Sequence, residues 1–288
     1  VTTKGFEITA NVEAIDNKDW GLNFDGNISF NQNRIGGLNA DQYATQLWYG
    51  ANEVFLQRNG LPIGTIYGYV EDGFYDNIAE VRADPIYSKV SKEEAQRMIG
   101  EIKYVDRNGD NQITTEDRAV IGDTNPDFIY GLNANFRWKK LSLGLFFQGS
   151  QGNDIFNGNL TMIGMNSIGN VTREAYENRW TPENAANAKW PRITTAMTRD
   201  MKLSDRYVED GSYFRLKTIN LSYNFGSVCK GITDLSVFGT ITNVFTLTNY
   251  SWFDPDVNAF GSDASRRGVD IFSYPNSRTY TIGFKLTL

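Results

Sequence analysis

The feature that most constrains this chain is a two-residue alternation of apolar and polar side chains, which recurs in seven segments. In FIYGLNANFRW, Phe128, Leu132 and Phe136 share one face. Asn133 and Asn135 share the other face. Successive side chains of a β-strand point to opposite sides of a sheet, so this period predicts strands with one apolar and one polar face. The predicted strands lie within residues 5–15, 19–33, 128–138, 141–149, 212–226, 234–245 and 279–288.

The connections between these segments alternate between short and long. The short connections are residues 16–18, 139–140 and 226–233. The long connections are residues 35–126, 150–211 and 247–277. Outer-membrane β-barrels join their strands in this way, with short periplasmic turns and long external loops. This order assigns the apolar stretch GTIYGYV (64–70) to an external loop.

Two further properties of the predicted strands favour a transmembrane barrel over a soluble β-sandwich, which also alternates and stays open as an alternative. The polar faces carry mainly Asn, Ser, Thr and Gly, with few of the Lys and Glu residues that protect soluble sheets. Aromatic residues lie near the strand ends, as in the interface girdles of barrels. These residues are Trp20, Phe30, Phe128, Trp138, Tyr213 and Phe225.

Seven strands is an odd number, whereas single-chain bacterial barrels have an even number. We therefore expect residues 1–288 to be the carboxy-terminal part of a larger barrel. In this interpretation, residues 35–126 form a long extracellular loop. The segments SKEEAQRMIG and VTREAYENRW (171–180) predict short helices within such loops. The first has Ser91 and Glu94 as a capping box and Gly100 as its end.

Composition removes several classes of function. The chain has no histidine, which excludes Ser-His triads, histidine bases and imidazole metal sites. It has 34 acidic against 28 basic residues and no concentrated basic face, which argues against a nucleic-acid partner. Asp254 and Asp256 flank Pro255 in one turn, but no surrounding cleft is predicted, so we do not expect a hydrolase. Arg266 and Arg267 form a cationic pair, either solvated or facing an anionic group.

The stretch DRNGDNQITTEDR (106–118) has the oxygen spacing of an EF-hand-type calcium loop. Asp106, Asn108 and Asp110 occupy positions 1, 3 and 5. Gln112 stands at position 7, where the backbone carbonyl binds the ion, and Asp117 stands at position 12. The spacing predicts a structural calcium ion held by these five residues within residues 106–117.

This loop departs from the usual pattern at two positions. Position 6 is Asn111 where glycine is usual, although Asn tolerates a positive φ better than most residues. Position 12 is Asp117, which is shorter than the usual Glu. A solvated turn rich in Asp and Asn is the alternative interpretation.

Aromatic residues in the long connections are candidates for contact with a ligand or a partner, because sugars stack on aromatic faces. The alternative is that these rings pack the loops together. The candidate residues are Trp180, Trp190, Tyr250, Trp252 and Phe253.

Five blocks of the sequence, in this order, resemble the SusC/RagA-like family of TonB-dependent outer-membrane transporters. Together they cover nearly the whole chain. The blocks are GLPIGTIYGYVEDGFYDN (60–77), residues 104–157, YVEDGSYFRLKTINLSYNF (207–225), TNVFTLTNYSWFDPDV (242–257) and YPNSRTYTIGFKLTL (274–288).

This resemblance implies an all-β fold: the carboxy-terminal part of a 22-stranded antiparallel transmembrane barrel. It further implies a plug and the remaining barrel strands, a SusD-like surface lipoprotein, and TonB, which acts on the plug. The substrate would be an oligosaccharide or a peptide, and the location the outer membrane of a Gram-negative bacterium, in contact with lipid. The alternative hypothesis is a soluble, calcium-stabilised β-domain that binds surface glycans.

Overall fold

A computed structural model describes residues 1–44, 53–163, 170–194 and 202–288. Strands dominate these ranges, and the helices are short. The strands are β1 (Thr2–Asp16), β2 (Trp20–Arg34), β3 (Gln42–Ala44), β4 (Phe55–Gln57), β5 (Thr65–Gly68), β6 (Glu71–Phe74), β7 (Ile102–Tyr104), β8 (Ala119–Asp123), β9 (Phe128–Trp138), β10 (Leu141–Gln151), β11 (Asp154–Asn157), β12 (Val208–Asp210), β13 (Tyr213–Gly226), β14 (Asp234–Thr248), β15 (Val269–Asp270) and β16 (Thr279–Thr287). The α-helices are α1 (Ile78–Ala83), α2 (Lys92–Met98), α3 (Asn159–Ile163) and α4 (Arg173–Glu177).

Seven long strands form one antiparallel sheet in the order β1-β2-β9-β10-β13-β14-β16. Each strand pairs with its neighbour among the seven along the chain, which confirms the seven predicted strands. The observed strands extend beyond several predicted bounds, for example to Thr248 in β14. Because the order in space follows the order along the chain, the sheet is an up-and-down meander.

The register places the apolar residues of neighbouring strands opposite one another. Leu143 of β10 pairs with Phe136 of β9 and with Leu221 of β13. Ile28 of β2 pairs with Ile8 of β1 and with Tyr130 of β9. A strand shifted by one residue would present its polar side chains on this face, so the pairing produces one continuous apolar face and one polar face.

The three long connections fold against one another at one end of the sheet, and we call this region the loop cap (residues 35–127, 152–212 and 249–278, within the described ranges). It contains a four-stranded sheet (β3-β4-β5-β8), a three-stranded sheet (β12-β11-β15) and the β6-β7 pair. The stretch GTIYGYV contributes β5, which pairs with β4 and β8 and not with the seven-stranded sheet.

The loop cap has its own hydrophobic core, to which all three connections contribute. Phe55 and Ile66 come from the first connection, Phe156 and Trp190 from the second, and Val269 from the third. Burial of these residues stabilises the cap because each removes apolar surface from water.

The predicted capping box is confirmed at the start of α2. The Ser91 hydroxyl accepts a hydrogen bond from the Glu94 amide, and the Glu94 carboxylate accepts one from the Ser91 amide. Gly100 follows the helix with a φ of 77°. The second predicted helix is shorter than its segment, because α4 ends at Glu177 and Arg179 then forms a bridge with Trp190. Within the described ranges, every helix is too short or too polar to span a membrane.

The two faces of the sheet predict different responses to a new charge. We expect Ile28→Arg, on the apolar face, to destabilise the full-length protein in lipid by about 2–4 kcal/mol, because the charge would lie against hydrocarbon. Asn27→Arg is the matched control, since Asn27 lies on the polar face, near the Glu7 carboxylate. Urea unfolding in liposomes measures the free energy of unfolding of both variants. Equal losses from the two variants would contradict a lipid-facing apolar surface.

Candidate functional site on the polar face and loop cap

The polar face of the seven-stranded sheet carries a row of amide and hydroxyl side chains. In β9, Asn135 pairs with Asn23 of β2 and with Gly144 of β10. Gly144 in turn pairs with Asn220 of β13. These residues line a concave groove of about 720 Å³. Amides and hydroxyls both donate and accept hydrogen bonds, so this surface suits a hydrophilic solute without binding it tightly.

Two of the charged residues on this face are held by neighbours. The Asp25 carboxylate accepts hydrogen bonds from the amides of Asn11 and Asn23, the latter at 3.2 Å. The Arg137 guanidinium forms a 3.1 Å salt bridge with Asp16 near the short turns. Beside these contacts, the groove presents neutral amides and the Glu13 carboxylate.

Arg215 anchors the third connection to the polar face of the sheet. Its side chain is almost fully buried, and it forms a salt bridge with Asp254. Its Nε donates to the Thr246 hydroxyl at 2.8 Å, and Asn276 donates to the other Asp254 oxygen at 2.6 Å. Asp254 therefore holds the last loop down onto β13 and β14. The sequence predicts no hydrolytic role for Asp254, and in the structure its carboxylate forms an ion pair with Arg215.

The inward position of Arg215 depends on a β-bulge. Thr218 pairs with Phe146 of β10, whereas Leu216 pairs with Phe147. Lys217 is the additional residue between them, and it changes the phase of the alternation along β13. Continued back from Ile219, the predicted alternation would place Arg215 on the apolar face. Sequence reasoning missed this anchor because no local signal marks the bulge.

Three of the five aromatic candidates are buried in the loop cap. The Trp180 indole donates to Asp76 at 2.7 Å, and the Trp190 indole donates to Glu174 at 2.5 Å. Both rings fill space between the first and second connections. These contacts favour the packing alternative for both residues.

Tyr250 is buried as well, and its hydroxyl donates to Asp270 at 2.7 Å. Burial and this hydrogen bond raise the pKa of the Tyr250 phenol, so the residue stays neutral. Trp252 and Phe253 lie close together, with their ring centres 5.1 Å apart. Phe253 is 64% exposed, so it is the candidate that is most accessible to a ligand or partner.

The predicted calcium loop folds as a tight turn stabilised by its own carboxylates. The two Asp106 oxygens accept from the amides of Gly109 at 2.7 Å and Asn111 at 2.8 Å. Asn111 has a φ of 63°, the left-handed conformation that position 6 requires. The Asn108 side chain accepts from the Asp110 amide at 2.9 Å.

The rest of the loop shows how far the residues fit a calcium ion. Asp110 accepts from the Gln112 amide at 2.8 Å, and buried Asp117 accepts from the Arg107 and Thr114 amides at 2.9 and 2.7 Å. Burial raises the pKa of Asp117, but these amides outweigh it and lower the pKa below its usual value. The Asp106 and Asp110 oxygens keep further lone pairs for a cation, whereas each Asp117 oxygen already accepts from two donors. In the described ranges, no three His, Cys, Asp or Glu side chains converge as a metal cluster, so Asp106, Asp110 and Asp117 do not form a preformed site.

Arg118 connects this loop to the four-stranded sheet of the cap. Its guanidinium lies 4.8 Å from the ring centre of Tyr67 and 5.8 Å from that of Tyr43. It also forms a 2.7 Å salt bridge with Glu53. Because Arg118 directly follows Asp117, the conformation of the loop is coupled to the packing of this sheet.

The chain is similar to TonB-dependent receptors over nearly its whole length. It is 33% identical to TonB-dependent receptor P3 of Formosa agariphila, over 98% of this chain and 28% of the relative. It is 31% identical to TonB-dependent receptor P26 of the same species, over 99% of this chain and 29% of the relative. TonB-dependent receptor SusC of Bacteroides thetaiotaomicron is 24% identical, over 98% of this chain and 26% of the relative. No protein-family model matches the chain.

Solved structures agree in fold. The RagAB peptide importer in its open-open state superimposes with a TM-score of 0.70 at 21% identity, over 99% of this chain and 28% of that chain. The RagAB peptide transporter gives a TM-score of 0.68, also at 21% identity, over 99% of this chain and 29% of that chain.

The chain resembles the SusC/RagA-like TonB-dependent receptors. It spans less than a third of the length of these curated receptors. The names of the relatives describe receptors, transporters and importers, and none of them names an enzyme. The chain has the fold of part of a RagA-like barrel, which confirms the predicted all-β antiparallel class.

The Arg215 anchor is open to a direct test. We expect Asp254→Ala to destabilise the third connection by about 3–5 kcal/mol, because it leaves a buried guanidinium without its partner. Asp256→Ala is the control, since Asp256 lies 3.7 Å from Arg215 and is half exposed. Limited proteolysis of residues 249–278 measures the difference. The anchor role is wrong if both variants are cleaved at the same rate as the parent protein.

Proposed function

We propose that this chain forms part of the wall of an outer-membrane nutrient importer that depends on TonB and takes up oligosaccharides or peptides. The observation that carries this proposal is the two-faced seven-stranded sheet. Its apolar face is continuous across all strands and suits lipid, while its polar face suits a water-filled path. Similarity to TonB-dependent receptors over almost the whole chain supports the same function.

The groove on the polar face is the proposed contact surface for the moving substrate. Its amides and hydroxyls match the hydroxyl groups of sugars and the peptide groups of short peptides equally well. The ion pairs at Arg137 and Arg215 compensate two of the charges on this face. A surface of this kind binds hydrophilic oligomers weakly enough for them to pass.

The loop cap is the proposed extracellular surface and the docking site for a SusD-like lipoprotein. The cap has its own hydrophobic core, so its outer surface is pre-organised for a partner. Phe253 is exposed on this region, and Tyr176 is 54% exposed with the Arg179 guanidinium 4.0 Å from its ring centre. Aromatic and arginine side chains are enriched in protein interfaces. TonB would act through the plug, which lies outside this segment.

A soluble glycan-binding β-domain is the competing hypothesis, and the apolar face argues against it. Phe6, Ile8, Val12 and Ile282 are exposed on this face. Such a continuous apolar surface on a soluble protein would favour aggregation. The import proposal therefore accounts for a surface that the soluble domain leaves unexplained.

We propose that calcium binds the loop of residues 106–117 and holds it rigid. The ligands would be Asp106, Asn108, Asp110, Asp117 and the carbonyl of Gln112. The site would be of low affinity, with a dissociation constant of about 10⁻⁴–10⁻³ M, which extracellular calcium fills. Through Arg118, the ion would stabilise the adjacent four-stranded sheet.

The first experiment is to extract the native protein from outer membranes in mild detergent and to identify every co-purifying protein by mass spectrometry. We expect the remaining barrel portion and a SusD-like lipoprotein to co-purify, because the sheet has two open edges, at β1 and β16, within the described ranges. Recovery of the chain alone in the aqueous fraction would contradict the import proposal.

The calcium proposal predicts a cation-dependent resistance to protease. We expect calcium to slow cleavage within residues 106–117 of the native receptor, and Asp106→Ala and Asp110→Ala to remove this protection by removing ligands. Glu116→Gln is the control, because it changes a charge in the same loop outside the ligand spacing. Protection by calcium that persists in both Ala variants would exclude this ligand set.

A further inference from the structure

A second depression, of about 360 Å³, lies where the polar face meets the loop cap. The strand side contributes Ser29, Asn31 and Asn33 of β2. The first connection contributes Asn125, and the third contributes Arg267. Val1 and Thr3, at the open edge of the sheet, also line this pocket.

The floor of this pocket is held by a network of hydrogen bonds. Asn33 donates to the Asn125 side chain at 2.9 Å and accepts from the Ile63 amide at 2.7 Å. Asn125 donates to the Ile63 carbonyl at 2.6 Å. These bonds fix the orientation of both amides and tie the first connection to the sheet. A pre-organised floor reduces the entropy lost when a ligand binds.

Arg267 is the only charged side chain among the described residues that line this pocket. Within the described part of the chain it forms neither a salt bridge nor a side-chain hydrogen bond. Its neighbour Arg266 differs, because it pairs with Asp263 at 2.7 Å and lies 4.2 Å from the ring centre of Phe260. The two arginines of the cationic pair therefore have different environments.

The backbone next to Arg267 is fixed in place. Gly268 has a φ of 70°, and a side chain there would come within 2.9 Å of Thr124. This close approach places Arg267 beside the segment that carries Asn125. The position of the Arg267 backbone is therefore set by packing, while its side chain is exposed to solvent.

We propose that this pocket is a subsite for a carboxylate group of the imported oligomer, with Arg267 as the residue that selects it. The inference rests on the proposed import function and adds a substrate class to it. A guanidinium binds a carboxylate through two parallel hydrogen bonds, and it loses less hydration than an ammonium group. Asn31 and Ser29 provide neutral hydrogen-bonding groups beside it for the rest of the unit.

The carboxylate has two sources, an acidic sugar unit or the free carboxyl end of a peptide. The full receptor, purified in detergent with its co-purifying proteins, is immobilised and offered one mixed pool. The pool holds oligogalacturonates, neutral galactose oligomers, and short peptides with free or amidated carboxyl ends. Mass spectrometry of the retained fraction gives the enrichment of carboxylate over neutral members in each class.

We expect the parent receptor to enrich carboxylate members of one class, and Arg267→Gln to reduce this enrichment about tenfold or more. Arg267→Lys should keep part of the enrichment, because lysine keeps the positive charge but cannot form the two parallel hydrogen bonds of a guanidinium. Arg82→Gln is the control, since Arg82 is an exposed arginine on α1 that does not line the pocket. The class that loses its enrichment identifies the source of the carboxylate.

Two results would overturn the subsite. One is an unchanged enrichment in Arg267→Gln, and the other is a parent receptor that retains neutral and carboxylate members equally. A parent receptor that retains no oligomer of either class would refute the import function itself. That outcome is distinct from loss of the subsite alone, in which neutral oligomers are still retained.

Discussion

The register of the seven-stranded ladder is the constraint on which the rest of the structure depends. A strand in lipid must satisfy its backbone N–H and C=O groups through neighbouring strands, so pairing is obligatory. Pairs such as Leu143 with Phe136 keep the apolar side chains of neighbouring strands on one face. A shift by a single residue would exchange the two faces along a whole strand. The alternation that predicts the strands therefore also fixes how they pair.

The long connections face a different constraint, because they lie outside this ladder and must bury a core of their own. They do so jointly, with Phe55, Phe156 and Val269 drawn from three separate connections. Partly buried ion pairs add specific contacts, as between Arg206 and Glu71, where Arg206 Nε donates at 3.0 Å. The cap is thus a small mixed structure that lies on the sheet. Contacts such as Arg215 with Asp254 and Asn33 with Asn125 hold it there.

Properties that repeat along the chain were predictable, and properties that depend on single positions were not. The seven strands and the Ser91 capping box follow from local pattern, and the structure contains both. The bulge at Lys217 has no such pattern, and it moves Arg215 to the polar face. Burial of Trp180 and Trp190 was likewise open at the level of sequence, because it depends on contacts between distant segments. The left-handed Asn111, in contrast, follows from the loop spacing alone.

The distribution of charge decides where selectivity can arise in the proposed path. A path must hold a solute strongly enough to admit it and weakly enough to release it. Along the groove, neutral amides and compensated pairs such as Arg137 with Asp16 satisfy the second requirement. Arg267 lies away from this groove, where the polar face meets the loop cap, so a strong contact there would act on the solute before it enters the weakly binding part of the path.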